Sequence, residues 1–168
     1  MVTDEGPERP WLEGPLALDR AVLEALDAHA RECHPEESCG LLVGPAAEPS
    51  RVDEARRMDN LANREHALDP ELFPRTAREA YVLNPLKVQR MLDAGDREGR
   101  PVKAIYHSHC DVGAYFSPED QRFAAVDGRL TLPVCYVVTS VRGGGVVDDH
   151  KLFVYRGGAW VEAPLEVH

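Results

Sequence analysis

The chain has 168 residues, 43% of them hydrophobic and 29% charged, a balance typical of a globular domain and not of a disordered or membrane-embedded protein. Twenty-nine acidic residues against 19 basic ones give a formal charge of −10, which opposes binding to nucleic acid or to anionic lipid. The four cysteines form no CxxC pair and no dense disulfide pattern, so they predict reduced thiols in a cytoplasmic protein.

The amino-terminal segment is rich in Pro, Gly and Glu, and we expect residues 1–14 to form a flexible leader on which Trp11 and Leu12 are able to dock. The sequence contains neither a secretory signal pattern nor an apolar run of the roughly 20 residues that a membrane span needs. We expect residues 15–168 to form a single domain. No internal repeat or long linker divides them.

A strand and a helix open this domain. Leu16 and Leu18 alternate with smaller residues, which predicts a short strand. Asp19 is a helix N-cap, and apolar residues then recur at helical spacing up to a stop before Pro35. Small and apolar residues from 38 to 43 predict a strand that is covered on both faces.

The middle of the chain has weaker signals. Residues 52–58 favour a strand, and residues 71–80 and 85–96 favour helices. The stretch from Leu61 to Pro85 is long enough to be an insertion that faces a substrate. A surface helix without a role is the alternative, and we favour it slightly.

The remaining elements follow in the last third. Residues 101–106 predict a strand that carries His107 and His109 at its carboxyl end, and Ser117 opens a helix that runs through Ala125. Residues 132–139 predict a further strand. A glycine turn at 143–145 and a hairpin across Gly157-Gly158 complete the domain.

The two histidines have the spacing of metal ligands. Residues two apart on a strand leave the same face, so both imidazoles can reach one ion, whereas Cys110 leaves the opposite face. A catalytic zinc requires three protein ligands and one open position. Asp120 is the candidate third ligand, because Ser117 as N-cap and Pro118 at the first helical position fix its side chain on the first turn. Taken singly, an HxH pair or a Ser-x-x-Asp cap is more often structural.

His107-Ser108-His109, seven residues, Ser117, two residues and Asp120 together resemble the HxHx(7)SxxD signature of the JAMM/MPN+ (Mov34/PAD-1) metallopeptidases. Glu37-Ser38-Cys39-Gly40 resembles the Glu-x-x-Gly strand of the same family. The resemblance covers roughly residues 15–140. The members that the chain resembles are the compact bacterial ones. It implies an α/β fold, the cytidine-deaminase-like MPN fold, with a mixed central β-sheet flanked by helices.

The resemblance also implies residue roles. His107, His109 and Asp120 would bind Zn²⁺, which activates a water for attack near neutral pH. Glu37 would act as the catalytic acid/base, and Ser117 would donate a hydrogen bond to the oxyanion.

Neighbouring residues need separate interpretation. Glu36 is the rival of Glu37 as acid/base, but the family spacing to Gly40 selects Glu37. Cys39 is interpreted as a small buried residue and not as a nucleophile, because no basic neighbour is evident to lower its pKa. Phe116 departs from the family, since many bacterial members have proline there.

The function implied is hydrolysis of the amide bond after the C-terminal glycine of a ubiquitin-like or sulfur-carrier protein. One alternative is a deconjugating isopeptidase of a bacterial ubiquitin-like conjugation or antiphage system. A second alternative is a non-catalytic MPN scaffold. The presence of all five polar residues of the motifs argues against it: Glu37, His107, His109, Ser117 and Asp120. A zinc deaminase is excluded because its Pro-Cys-x-x-Cys motif is missing. We expect no nucleic-acid or membrane partner, and the sequence indicates no oligomeric state.

Overall fold

The computed structural model describes residues 7–168, so residues 1–6 of the expected leader lie outside the described part. Its α-helices are α1 (Arg20–Cys33), α2 (Ala62–Leu68), α3 (Pro85–Glu98) and α4 (Pro118–Ala124). Its β-strands are β1 (Leu16–Leu18), β2 (Cys39–Val43), β3 (Arg51–Val52), β4 (Glu54–Met58), β5 (Val102–Cys110), β6 (Ala125–Val126), β7 (Arg129–Leu130), β8 (Cys135–Arg142), β9 (Val146–Arg156), β10 (Ala159–Ala163) and β11 (Leu165–Val167).

Six strands form the main sheet, in the spatial order β10-β9-β8-β5-β2-β4. Strands β5 and β8 are parallel, and the other neighbouring pairs are antiparallel. Every residue of β2 is buried, as its continuous apolar run predicts. The expected mixed central sheet flanked by helices is therefore confirmed.

The two faces of the sheet are covered by different helices. Helix α1 packs Val22 and Leu26 into the hydrophobic cluster on one face, which also contains Tyr106 of β5. Helix α3 packs Val88 and Leu92 into the cluster on the other face, which contains Ile105. Because side chains alternate along a strand, the odd-numbered residues that follow Ile105 also point to the α3 side.

Both ends of the described chain join a second, three-stranded sheet. Strand β1 pairs in parallel with β11 on one side and with β3 on the other. A short 3₁₀ helix at Pro10–Glu13 brings Trp11 into the core, where it is only 3% exposed. The part of the expected leader from Pro10 onward is thus packed on the sheet. Within residues 7–168, no helix combines the length and apolar character that crossing a bilayer requires.

Most predicted elements are confirmed, but the helix expected at residues 71–80 is wrong. The chain forms helix α2 at Ala62–Leu68 and then runs without regular structure to Asn84. Pro70 and Pro74 explain the difference, since each lacks a donor and restricts the residue before it. The irregular stretch is called the 69–84 segment below.

Candidate metal centre

Two histidines project from one face of β5, near its carboxyl end. His107 is fully buried and His109 is 4% exposed, and their Nε2 atoms lie 3.2 Å apart. Ser108 between them points to the other face, where its Oγ accepts a hydrogen bond from the Ser38 N–H at 2.8 Å. Because β5 lies between β2 and β8, ladders on both sides hold the two imidazoles in place.

Asp120 reaches the same point from the first turn of α4. Its N–H donates to the Oγ of the N-cap Ser117, and its Oδ2 accepts from the Ser117 N–H at 3.2 Å, which completes a capping box. Asp120 Oδ2 also lies 3.1 Å from His107 Nε2 and 3.1 Å from His109 Nε2. Burial by itself raises the pKa of Asp120, but the two histidines outweigh it and hold that pKa well below its usual range.

The two rings are oriented by their surroundings. Gly113 O lies 3.2 Å from His109 Nδ1, so an Nδ1–H that donates to this carbonyl leaves the Nε2 lone pair facing Asp120. Tyr81 stacks on His107 with centroids 4.3 Å apart, and Tyr115 meets His109 edge-on at 4.8 Å. Burial lowers the pKa of His107, which favours the neutral imidazole that binds metals.

Glu37 lies beside the histidines, just before β2. It is 5% exposed, and one of its carboxylate oxygens and one nitrogen of each histidine lie within 4.8 Å of one another. Its Oε1 has no hydrogen-bond partner within the described residues. Burial above all, with the charge of Asp120, raises the pKa of Glu37 to about 9, and Arg75 acts in the opposite direction.

The residues next to Glu37 in sequence do not take its place beside the histidines. Glu36 is half-buried and accepts a hydrogen bond from Asn63 Nδ2 at 2.6 Å, away from the histidines. Cys39 is fully buried, and burial raises the pKa of its thiol to about 12, so it is a neutral wall residue as expected. At Gly40 a Cβ would overlap the Arg56 carbonyl oxygen and the Tyr106 ring, which explains the glycine at this position.

These donors suit a divalent metal. The Nε2 atoms of His107 and His109 and the Oδ2 of Asp120 are mutually 3.1 to 3.2 Å apart. Ligands at zinc-bond lengths in a tetrahedral site are separated by about 3.3 Å. Two imidazoles and one carboxylate are also the ligand types that zinc accepts at catalytic sites. The chemistry and spacing of the donor set therefore fit one metal ion.

For the stretch from Leu61 to Pro85 the sequence slightly favoured a surface helix without a role, but its 69–84 segment is irregular and contacts His107 through Tyr81. Asn60 holds this segment through its side chain, which donates to the Glu37 and Ala80 carbonyls and accepts from the Val82 N–H. Tyr81 is thereby set on the His107 ring. Contacts between side chains and an irregular backbone leave no periodic signal, so the sequence gives no sign of them.

The candidate metal centre adjoins a cleft of about 490 Å³, a volume common for ligand sites, which Glu37 and His109 line. Its walls come from Glu37 and Pro35, from the 69–84 segment, and from residues 109–117. A second cavity, of about 570 Å³, lies between the 69–84 segment and α4 and reaches Asp120. Exposed apolar side chains of Leu72 and Phe123 stand at this second cavity.

Comparison with known proteins places this architecture in a family. The family model for prokaryotic homologs of the JAB domain matches residues 19–152. A CysO-cysteine peptidase from Mycobacterium tuberculosis is 34% identical over 154 residues, 90% of each chain. A probable TtuB-protein conjugate cleaving protease from Thermus thermophilus is 31% identical over 128 residues, 76% of this chain and 72% of that protein.

Solved structures agree on the fold. A protein from Desulfitobacterium hafniense superposes with a TM-score of 0.68 at 23% identity, over 92% of this chain and 93% of its own. A JAB1/MPN domain protein from Archaeoglobus fulgidus gives 0.54 at 18% identity, over 92% and 99%. The JAMM/MPN+ resemblance of the sequence motifs is thus confirmed. The chain belongs to the prokaryotic branch of the JAB (JAMM/MPN) domain family.

Proposed function

We propose that this protein is a zinc metallopeptidase that hydrolyses the amide bond after the C-terminal glycine of a sulfur-carrier or other ubiquitin-like protein. The observation that supports it is the convergence of His107, His109 and Asp120 beside the buried Glu37 carboxyl group. Relatives also support it, since the two described above are named as a peptidase and as a protease. The four free cysteines support a cytoplasmic location.

In this proposal His107, His109 and Asp120 hold the zinc. Bound there, zinc supplies Lewis acidity, which polarises the scissile carbonyl and lowers the pKa of a water. Glu37 accepts the proton of the attacking water and passes it to the departing nitrogen. Its Oε1 has no hydrogen-bond partner within the described residues, and the positive charge of a bound zinc would favour the ionised carboxylate that accepts a proton.

Ser117 stabilises the oxygen of the scissile carbonyl. Its Oγ accepts from the Asp120 N–H, so the hydroxyl proton remains to be donated, and the side chain lines the cleft. Loss of such a donor lowers kcat by about 10² to 10³. Tyr81 covers His107 and keeps water from one side of the site.

A second candidate is cleavage of a bond between a ubiquitin-like protein and a conjugated target. The name of the Thermus thermophilus relative, a TtuB-protein conjugate cleaving protease, favours this reading. Both candidates use the same metal centre and differ in the leaving group. The non-catalytic scaffold is disfavoured, since Glu37 and Asp120 both lie beside His107 and His109, and Ser117 is hydrogen-bonded to Asp120.

The test uses the full chain loaded with zinc and a ubiquitin-like carrier protein that ends in glycine followed by one extra residue. We expect mass spectrometry to detect the carrier ending in glycine, and elemental analysis to find about one zinc per chain. Glu37→Gln should retain zinc and lose most turnover, whereas the matched neighbour Glu36→Gln should keep both. Ser117→Ala should turn over at an intermediate rate.

Two outcomes would overturn the proposal. One is a zinc-loaded protein that cleaves neither the extended carrier nor a conjugate. The other is equal cleavage of the folded carrier and of its isolated tail peptide, which would indicate a general metallopeptidase.

A further inference from the structure

The backbone of Glu37 is held by residues outside the main sheet. Glu37 precedes strand β2, which begins at Cys39, so the pairing of β2 with its neighbours does not include it. Its N–H donates to the Ala77 carbonyl at 2.7 Å, and its own carbonyl accepts from Asn60 Nδ2 at 3.1 Å. Within residues 7–168, Oε1 of its carboxyl group has no hydrogen-bond partner. The position of the carboxyl group therefore depends on how the backbone is held.

Asn60 uses its whole side-chain amide to join three elements. Its Nδ2 donates to the Glu37 carbonyl and, at 3.0 Å, to the Ala80 carbonyl. Its Oδ1 accepts at 3.0 Å from the Val82 N–H and at 3.0 Å from the N–H of Ala62, the first residue of α2. An asparagine amide offers two donor hydrogens and two acceptor sites, and all four are used here. The side chain therefore has one orientation.

The same amide fixes the ring that covers a proposed metal ligand. The two contacts of Asn60 with the 69–84 segment lie immediately before and immediately after Tyr81. The Tyr81 ring stacks on His107 with centroids 4.3 Å apart. One carboxylate oxygen of Glu37 and one nitrogen of His107 lie within 4.8 Å of each other. One side chain thus holds both the backbone of Glu37 and the backbone of the ring that packs on His107.

The proposed reaction is sensitive to the position of Glu37. The carboxyl group has to reach first the attacking water and then the departing nitrogen, each at a heavy-atom distance of about 2.6 to 3.2 Å. A displacement of about 1 Å can lower the rate of such a step by about 10²-fold. Among the described residues, Asn60 is not part of the wall of either cavity, and its four bonds all go to the backbone. Any effect of Asn60 on turnover must therefore pass through the groups that it holds.

We propose that Asn60 is a positioning residue, which keeps the Glu37 carboxyl group at the candidate metal centre through the hydrogen bond to the Glu37 carbonyl. It acts on the reaction through Glu37 and contacts neither the metal nor the substrate. This inference rests on the proposed function, which it deepens by naming the residue that orients the acid/base. Loss of the Asn60 amide should therefore lower kcat, while KM and the zinc content change little.

The experiment measures kcat and KM of the zinc-loaded full chain on a carrier protein that ends in glycine and one extra residue. Asn60→Ala should lower kcat by about 10- to 100-fold and retain about one zinc per chain. Asn60→Asp keeps the two acceptor contacts and loses both donors, so it should lower kcat by a similar factor. The matched control is Asn84→Ala. Asn84 is the exposed N-cap of α3 and also bonds to backbone N–H groups, but it has no contact with Glu37, so this variant should keep kcat.

Two further measurements separate positioning from a general loss of structure. In a Glu37→Gln background, Asn60→Ala should lower the residual rate by less than about threefold, because the group through which it acts is already lost. Independent effects would instead multiply. Hydrogen exchange followed by mass spectrometry should become faster at residues 36–38 and 80–82 of Asn60→Ala and remain unchanged in β5.

Several results would refute the positioning role. One is an unchanged kcat in Asn60→Ala or in Asn60→Asp. Another is the same fold-loss with and without Glu37. Loss of zinc together with kcat in both Asn60 variants would also refute it, since the side chain would then maintain the metal centre as a whole. Cleavage of no carrier by the unaltered protein would instead refute the proposed function.

Discussion

Glu37→Gln should stabilise the metal-free protein, although it removes the proposed acid/base. In the folded state the pKa of Glu37 is raised from 4.5 to about 9, chiefly by burial. The folded protein therefore keeps a proton at pH 7 that the unfolded chain has released. The contribution of Glu37 to the free energy of unfolding is fully present below pH 4.5. Between pH 4.5 and pH 9 it falls by about 1.4 kcal/mol per pH unit. At pH 7 the accumulated loss is roughly 3 kcal/mol, which the neutral glutamine avoids.

The assay is urea unfolding in the presence of a chelator, for the unaltered chain and Glu37→Gln, at pH 4.5 and at pH 7. We expect the variant to be more stable by up to about 3 kcal/mol at pH 7 and nearly equal at pH 4.5. The matched control is Glu36→Gln, half-buried and next in sequence, which should change stability by less than about 1 kcal/mol at either pH. The reasoning would be refuted if Glu37→Gln were less stable than the unaltered chain at pH 7. It would also be refuted if the difference in free energy of unfolding between the two proteins did not depend on pH.

Three further changes test the rest of the site and fold. Asp120→Ala should lose tight zinc binding in elemental analysis, whereas Glu119→Ala, its neighbour on α4, should retain it; equal zinc content would remove Asp120 from the ligand set. Gly40→Ala should destabilise the protein by about 1 to 3 kcal/mol, because the new methyl group overlaps backbone and an aromatic ring. Trp11→Ala should lower the free energy of unfolding by about 3 kcal/mol, and an unchanged value would contradict its burial in the core.

The sequence predicted the elements whose signals are local and periodic. The apolar run of β2, the strand that carries His107 and His109, and the capped helix at Ser117 each follow from short patterns. Their convergence on one point was inferred from a family resemblance, because no single-strand or single-helix pattern states which elements meet in space.

Other features escaped sequence reasoning for physical reasons. Strand β11 has three residues and pairs with β1 from the far end of the chain, so neither its length nor its partner is apparent locally. The stacking of Tyr81 on His107 depends on Asn60, which lies 21 positions earlier and acts through backbone contacts. Phe116, the departure from the family, packs against Tyr136, Phe153 and Trp160 in an aromatic cluster.

The anchoring of the 69–84 segment has a consequence for the surface of the cleft. Asn60 and the Glu37 N–H hold its backbone at Ala77 and Ala80, while the side chains of Arg75, Arg78 and Glu79 remain exposed in the cleft. Substitution of an exposed side chain on a fixed backbone usually changes the free energy of unfolding very little. Substitutions at these three positions should therefore change the surface that the cleft presents to a substrate without disturbing the residues that carry out the proposed chemistry.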